Sequence, residues 1–154
     1  MSEQRSYLAR HLRALSLEMM EANARICAEL DPVLKPTWLS LIERMASGQQ
    51  VTVMTAARDM EVSHVHVQNI LKAMKQAGIV VSTADPNDGR RTYYELTVQG
   101  IELLPKVRQI RTAIGKAVAE IEQETGSSLE LAVSQFTAAL DRQDWSTRVK
   151  GKLE

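Results

Sequence analysis

The stretch "ADPNDGRRTYYELTVQG" spans Ala84 to Gly100, and the fold turns on how it is read. A minimal β-hairpin closes over two residues of the Asn-Gly kind. Here the loop runs from Asp85 to Arg90, with Pro86 and Gly89 inside it and the pair Arg90 and Arg91 at its far end. Arg91 to Leu96 reads as a strand, and the β-branched run from Ile79 to Thr83 reads as its antiparallel partner. Thr97 is then placed to cap a helix. The stretch is the far side of a hairpin whose extended tip carries two arginines.

Working outward, Thr52 can cap a short helix, "VMTAARDM", and Ser63 can cap another, "HVHVQNILKAMKQA", which stops at Gly78. Two short helices joined by a turn near Glu61 make a helix-turn-helix, and a hairpin directly behind it makes a winged helix. From Ser6 to Leu30 the positions Leu8, Leu12, Leu15, Met19, Ala22, Ile26 and Leu30 draw one apolar stripe down a long helix. Asp31-Pro32 ends that helix. Pro36 suits the first position of the next one, which closes near Gly48. Beyond Thr97, Ile101, Leu104, Val107, Ile110, Ile114, Val118 and Ile121 predict a long helix, kinked by Pro105 and closed by Gly126. Ser127 to Glu130 has capping-box spacing and opens a last helix with Leu129, Val133, Phe136 and Leu140 on one side. The tail "TRVKGKLE" reads as polar and frayed. The expected class is mainly α with a small β-hairpin wing, a single domain over residues 1–154. Its winged helix-turn-helix covers 52–97, and the apolar stripes at 6–30 and 98–142, too large for so small a core, suggest a helical dimerisation region.

Composition narrows the function classes. Hydrophobic residues make up 44% and charged residues 25%, ordinary values for a soluble globular chain. Lys plus Arg and Asp plus Glu number 19 each, so any nucleic-acid case rests on local placement. Cys27 is the single cysteine, which leaves no intrachain disulfide and no zinc cluster. The opening "MSEQRSYLAR" lacks a signal-peptide core, and no apolar run nears the roughly 18 residues of a membrane span. The expected compartment is the cytoplasm, with no membrane partner. Enzyme motifs are missing: no phosphate loop, no G-x-S-x-G elbow and no H-E-x-x-H. No enzyme activity, cofactor or metal is expected.

With these residues in view, the chain resembles the MarR family (multiple antibiotic resistance regulators). "DPNDGRRTYYELTVQG" is similar to that family's wing pattern of Asp-Pro, Asp, Arg, then Leu-Thr and Gly. "MKQAGIV" sits where the family ends its recognition helix. The resemblance implies a transcription regulator, more often a repressor, that binds double-stranded DNA as a twofold homodimer on an inverted repeat. It assigns minor-groove contact to the wing arginine, Arg90 or Arg91, without choosing between them. It also implies small aromatic or anionic effectors bound between the dimerisation helices and the winged helix.

The residues add their own chemistry. On the second helix of the pair, Val67, Ile70, Leu71 and Met74 share the face that packs inward. Val65, Asn69, Lys72 and Gln76 lie opposite, flanked by His66 and Gln68. Ser63, His64, Val65, His66, Gln68, Asn69 and Lys72 are the candidate DNA contacts of this helix. Asn and Gln suit an adenine edge, Val a thymine methyl, and Lys72 and Lys75 phosphate. The helix has no Arg for guanine, so an A·T-leaning half-site is expected. An Arg at the wing tip suits the narrow minor groove of such DNA, with Asp88 near enough to orient a guanidinium. The plainer alternative is a solvated helix face with Asp88 merely capping the turn.

Candidate pocket walls for an effector are His11, Met19, Trp38 and Met45, although Met and Trp on apolar faces serve more often as plain core. Cys27 could sense peroxide, but a buried, inert thiol is the better reading. His64 and His66, two apart on a helix, cannot chelate one metal. The rival class is a winged-helix adaptor that uses the same surface for protein contacts without DNA.

Overall fold

The computed structural model describes residues 7–85, 88 and 91–153. Its elements are α1 (Leu8–Leu30), α2 (Pro36–Ala46), α3 (Val53–Asp59), α4 (His64–Gln76), β1 (Val80–Ala84), β2 (Thr92–Leu96), α5 (Val98–Glu102), α6 (Leu104–Thr125), α7 (Leu129–Arg142) and α8 (Trp145–Lys150). The chain divides into two compact units, Met1–Thr112 and Ala113–Glu154.

Side-chain caps start three helices of the first unit, α3, α4 and α5. Thr55 N–H donates to Thr52 Oγ1 at 3.1 Å while Thr52 N–H donates to Thr55 Oγ1 at 3.0 Å, a reciprocal capping box for α3. Ser63 Oγ accepts from His66 N–H at 3.2 Å to open α4. Thr97 Oγ1 accepts from Gly100 N–H at 3.1 Å to open α5. Each satisfies an amide that the first helical turn leaves without a carbonyl.

Both helices of the α3–α4 pair end in Schellman motifs. After α4, Gly78 N–H bonds Lys75 O and Ile79 N–H bonds Met74 O, with Gly78 at φ +74°. After α3, Glu61 N–H bonds Arg58 O and Val62 N–H bonds Ala57 O, but the left-handed residue is Glu61 at φ +54°. That conformation crowds a Cβ and costs about 1 kcal/mol or more for a non-glycine residue. Glu61→Gly is therefore expected to raise stability by about 1 kcal/mol, read as a higher urea midpoint at unchanged slope.

β1 and β2 pair antiparallel from Val80↔Leu96 to Ala84↔Thr92. Tyr94 N–H also bonds Val51 O at 2.9 Å, which adds a bridge along the outer edge of β2. The first unit's core takes Val67, Ile70, Leu71 and Met74 from α4, the four positions expected to face inward. Trp38, Leu39, Leu41 and Ile42 come from α2, Ala56 and Ala57 from α3, Val80 from β1, and Val107 and Ile110 from α6.

Asp31 follows α1 and ties it to α6. Its Oδ1 accepts from Val33 N–H at 2.9 Å, and its Oδ2 accepts from Lys106 Nζ at 2.8 Å. The Lys106 bond first, then the Val33 bond, holds the Asp31 carboxyl below the ordinary aspartate value. A carboxyl whose folded pKa lies below its unfolded value stabilises the fold above that unfolded value, about 3.9. The contribution is lost as pH falls through the folded value. Asp31→Asn should thus lower the urea midpoint at pH 7, and the gap should close on acidification below about pH 4.

Three stretches depart from the sequence expectation. The helix after Thr97 is not one kinked rod: Leu103 separates α5 from α6, with Pro105 in the first turn of α6. Proline has no N–H for the Ile101 carbonyl and its ring crowds that oxygen, so the chain breaks two residues early. The cap of α7 is Ser128, whose Oγ accepts from Leu131 N–H at 3.2 Å, one residue later than the Ser127 to Glu130 spacing suggests. The tail forms α8 because Asp144 Oδ1 accepts from Thr147 N–H at 3.0 Å, and Arg148 donates to the carbonyls of Ala139 and Gln143. Among the described residues, no helix is long and apolar enough to cross a membrane.

Candidate nucleic-acid interface

The exposed face of α4 follows from its buried one. With Val67, Ile70, Leu71 and Met74 fixed in the core, the 3.6-residue period turns Val65, His66, Gln68, Asn69, Lys72 and Gln76 outward. Val65 is 65% exposed. Ser63 and His64 are exposed beside it. The candidate contacts from this helix lie on one solvent-facing surface.

The hairpin stands against the same helix. Lys75 Nζ donates to Ser82 Oγ at 2.6 Å and so ties the end of α4 to β1. Lys75, expected at phosphate, is exposed and uses one of its three ammonium donors in this bond. Arg91 lies at the mouth of β2, its N–H bonded to Asp88 O at 2.8 Å and its Nε 3.4 Å from Asp88 Oδ2. Asp88 is thus within reach of a guanidinium, as its spacing from Arg91 suggests. Arg90, Pro86 and Gly89 lie outside the described residues.

His64 and Gln68 of α4 share an open cleft of about 570 Å3 with Arg91, Thr92, Tyr93 and Tyr94 of the hairpin. Gln50, Thr52, Thr55 and Met54 close its other side, and Met54 is 62% exposed. Sequence reading passed over Tyr93, whose hydroxyl donates to Asp85 Oδ2 at 2.8 Å. That hydrogen bond pushes the phenol above its ordinary value, and the nearby Arg91 guanidinium pulls the other way. An aromatic residue two places after an arginine on a strand is the only sequence signal for this contact, since alternation sets both on one face.

The effector candidates do not gather into one site. Met45 lines a second cavity of about 550 Å3 with Gln50, Tyr93, Leu96, Ile101 and Leu104, and none of His11, Met19 or Trp38 is in its wall. Trp38 is a core residue, while His11 and Met19 lie exposed on α1. Cys27 is fully buried, and burial pushes its thiol above the ordinary cysteine value, away from the reactive thiolate. Among the described residues, no three His, Cys, Asp or Glu side chains gather where a metal ion could be held.

Comparison with known proteins bears on the fold. The MarR family model matches residues 34–91, from the end of the α1–α2 connection to Arg91. A crystal structure of a MarR family transcription regulator is similar at 18% identity over 92% of this chain and 95% of that one, with a TM-score of 0.69. The repressor CouR bound to a 23-mer DNA duplex is similar at 17% identity, over 88% and 95%, with a TM-score of 0.71. A cysteine-to-serine mutant of MarR from E. coli, in complex with operator DNA, is similar at 15% identity, over 86% and 91%, with a TM-score of 0.65. At these identities the likeness is one of fold. A search of curated proteins finds no match to the sequence.

Proposed function

We propose that this chain, whose residues 34–91 match the MarR family model, is a MarR-type transcription regulator, a ligand-responsive repressor that binds double-stranded DNA as a homodimer. The observation that carries the DNA reading is the cleft where His64 and Gln68 meet Arg91, beside an α4 face that is solvent-exposed from Val65 to Lys72 wherever it is not core. In this reading α4 enters the major groove, with Asn69, Gln68 and Val65 at base edges and Lys72 at phosphate. Arg91 and Arg90 reach the adjacent minor groove.

The twofold reading is supported by apolar surface that each unit leaves uncovered. In α1, Leu8, Leu12, Leu15, Met19 and Ile26 are exposed, and only Cys27 is buried. α7 buries none of its residues, while Leu129, Leu131, Val133 and Phe136 are exposed. Such faces call for a partner, and a second copy supplies an identical set. An effector would act by favouring a spacing of the two recognition helices that does not fit DNA. The cavity that includes Met45 is the candidate seat.

The test is selection from a random duplex pool with the purified protein at moderate salt, followed by sequencing. An enriched, A·T-leaning inverted repeat with half-site centres about 34–36 Å apart supports the reading. No enrichment from folded, dimeric protein would turn the assignment toward a protein-binding adaptor.

A further inference from the structure

The cavity that includes Met45 carries charge of one sign. Met45, Leu96, Ile101 and Leu104 supply the apolar part of its wall, and Tyr93 and Tyr94 the aromatic part. Among its described lining residues, Glu95 alone is charged. Glu95 is exposed, and among the described residues no lysine, arginine or histidine pairs with it. Glu95 pairs with Val81 and Tyr93 with Thr83, so alternation sets the carboxylate and that phenol on one face of the hairpin. The two neighbouring arginines line other hollows: Arg91, which bonds the Tyr93 hydroxyl, is in the cleft with His64, and Arg108 shares a separate cavity of about 200 Å3 with Glu43.

At about 550 Å3 the cavity has the size of a small-molecule site. A carboxylate ligand would meet no cation in this wall to offset its desolvation, and it would face Glu95. A calcium ion takes about six oxygens or more, and one carboxylate cannot supply them. An ammonium ion on an apolar body suits every part of the wall: its charge faces Glu95 and the tyrosine rings, and its hydrocarbon meets the aliphatic side chains. We propose that this cavity takes an organic cation, an alkyl- or aryl-substituted ammonium, and not an anion. The inference rests on the reading of this cavity as the effector seat and names the class of effector. Gln50, Tyr93 and Tyr94 line both this cavity and the cleft with His64 and Gln68. An occupant therefore touches the strand that leads out of the wing.

The experiment titrates the isotope-labelled full chain with benzyltrimethylammonium, benzyl alcohol and benzoate at one ionic strength. The three share a ring and differ in charge. Amide shifts of Gln50, Tyr94 and Glu95 in magnetic resonance spectra report occupancy and give a dissociation constant for each compound. Benzyltrimethylammonium should bind about fivefold more tightly than either of the others, as a cation beside aromatic rings does. Glu95→Gln should weaken the cation about fivefold, the upper range of an exposed ion pair, with thermal unfolding unchanged. Glu95→Lys should turn the order round in favour of benzoate. Benzoate or benzyl alcohol binding the wild type as tightly as the cation would overturn the cationic class and leave the seat standing. A cation held equally well by Glu95→Gln would overturn the class too. Shifts with none of the three would overturn the seat and the class together. A bound cation that leaves duplex affinity unchanged would support the class and overturn the ligand-responsive reading.

Discussion

Gly100→Ala should unfold the winged helix under conditions where the wild type is stable. A Cβ built at Gly100 meets Ile79 O at 2.3 Å and Leu96 Cδ2 at 3.1 Å. The first of these is backbone and cannot swing aside. Ile79 O also accepts Thr97 N–H at 3.0 Å, so moving it away pulls on the residue that caps α5. Alanine favours a helix interior over glycine by about 1 kcal/mol. Overpacking against a fixed carbonyl costs about 3 kcal/mol here, and the clash wins. In a chain of this size the net loss of about 2 kcal/mol lowers Tm by about 6 °C. Gly115→Ala is the matched control: it lies within α6 with nothing within 4 Å of the new Cβ, so it should gain stability from propensity alone. Equal behaviour of the two variants would show that the junction of β1 and α5 yields without cost.

Removing both wing arginines should cost duplex affinity about a hundredfold and leave the fold alone. An arginine placed in a groove is worth about 1–3 kcal/mol, and Arg90→Ala/Arg91→Ala removes two. The Arg91 side chain is 59% exposed, and its pair with Asp88 is correspondingly screened, so unfolding should shift by less than about 1 kcal/mol. The logarithm of affinity against the logarithm of salt should also become shallower, since fewer cations displace counterions from DNA. Titration of labelled duplex at two salt concentrations, with dimer mass measured alongside, reads both effects. Affinity unchanged in the double variant would remove the wing from recognition.

Much of this arrangement could be read directly from residue types. Thr52, Ser63 and Thr97 each cap the helix they precede because a β-hydroxyl at that spacing has one obvious use. The α4 faces follow from period alone, since one apolar stripe leaves its complement to solvent. The hairpin register and the tip contacts were not legible: a loop from Asp85 to Arg90 is too long for turn type to fix which side chains meet across it. Tyr93 with Asp85 and Lys75 with Ser82 are tertiary choices of that kind. The start of α7 was missed by one residue because Ser127 and Ser128 both offer a hydroxyl, and the tail helix was missed because a cap, Asp144, was overlooked amid polar residues. The effector residues scattered because order along the chain does not say which face of α1 or α2 each occupies.

The tie between Lys75 and Ser82 has one more consequence. With the end of α4 fastened to β1 and Ile79 O bonded to Thr97, helix and wing keep a fixed offset from each other. In the proposed DNA reading, with α4 in one groove and the wing in the next, that offset is a ruler. A half-site can then vary in the letters it presents to either element, each at its own local cost. An inserted or deleted base pair between the two contacts shifts one groove about 34° around the axis, given roughly 10.5 base pairs per turn, and no side chain of this joint can follow it. In that reading the Lys75–Ser82 bond helps set the phase between the two contacts.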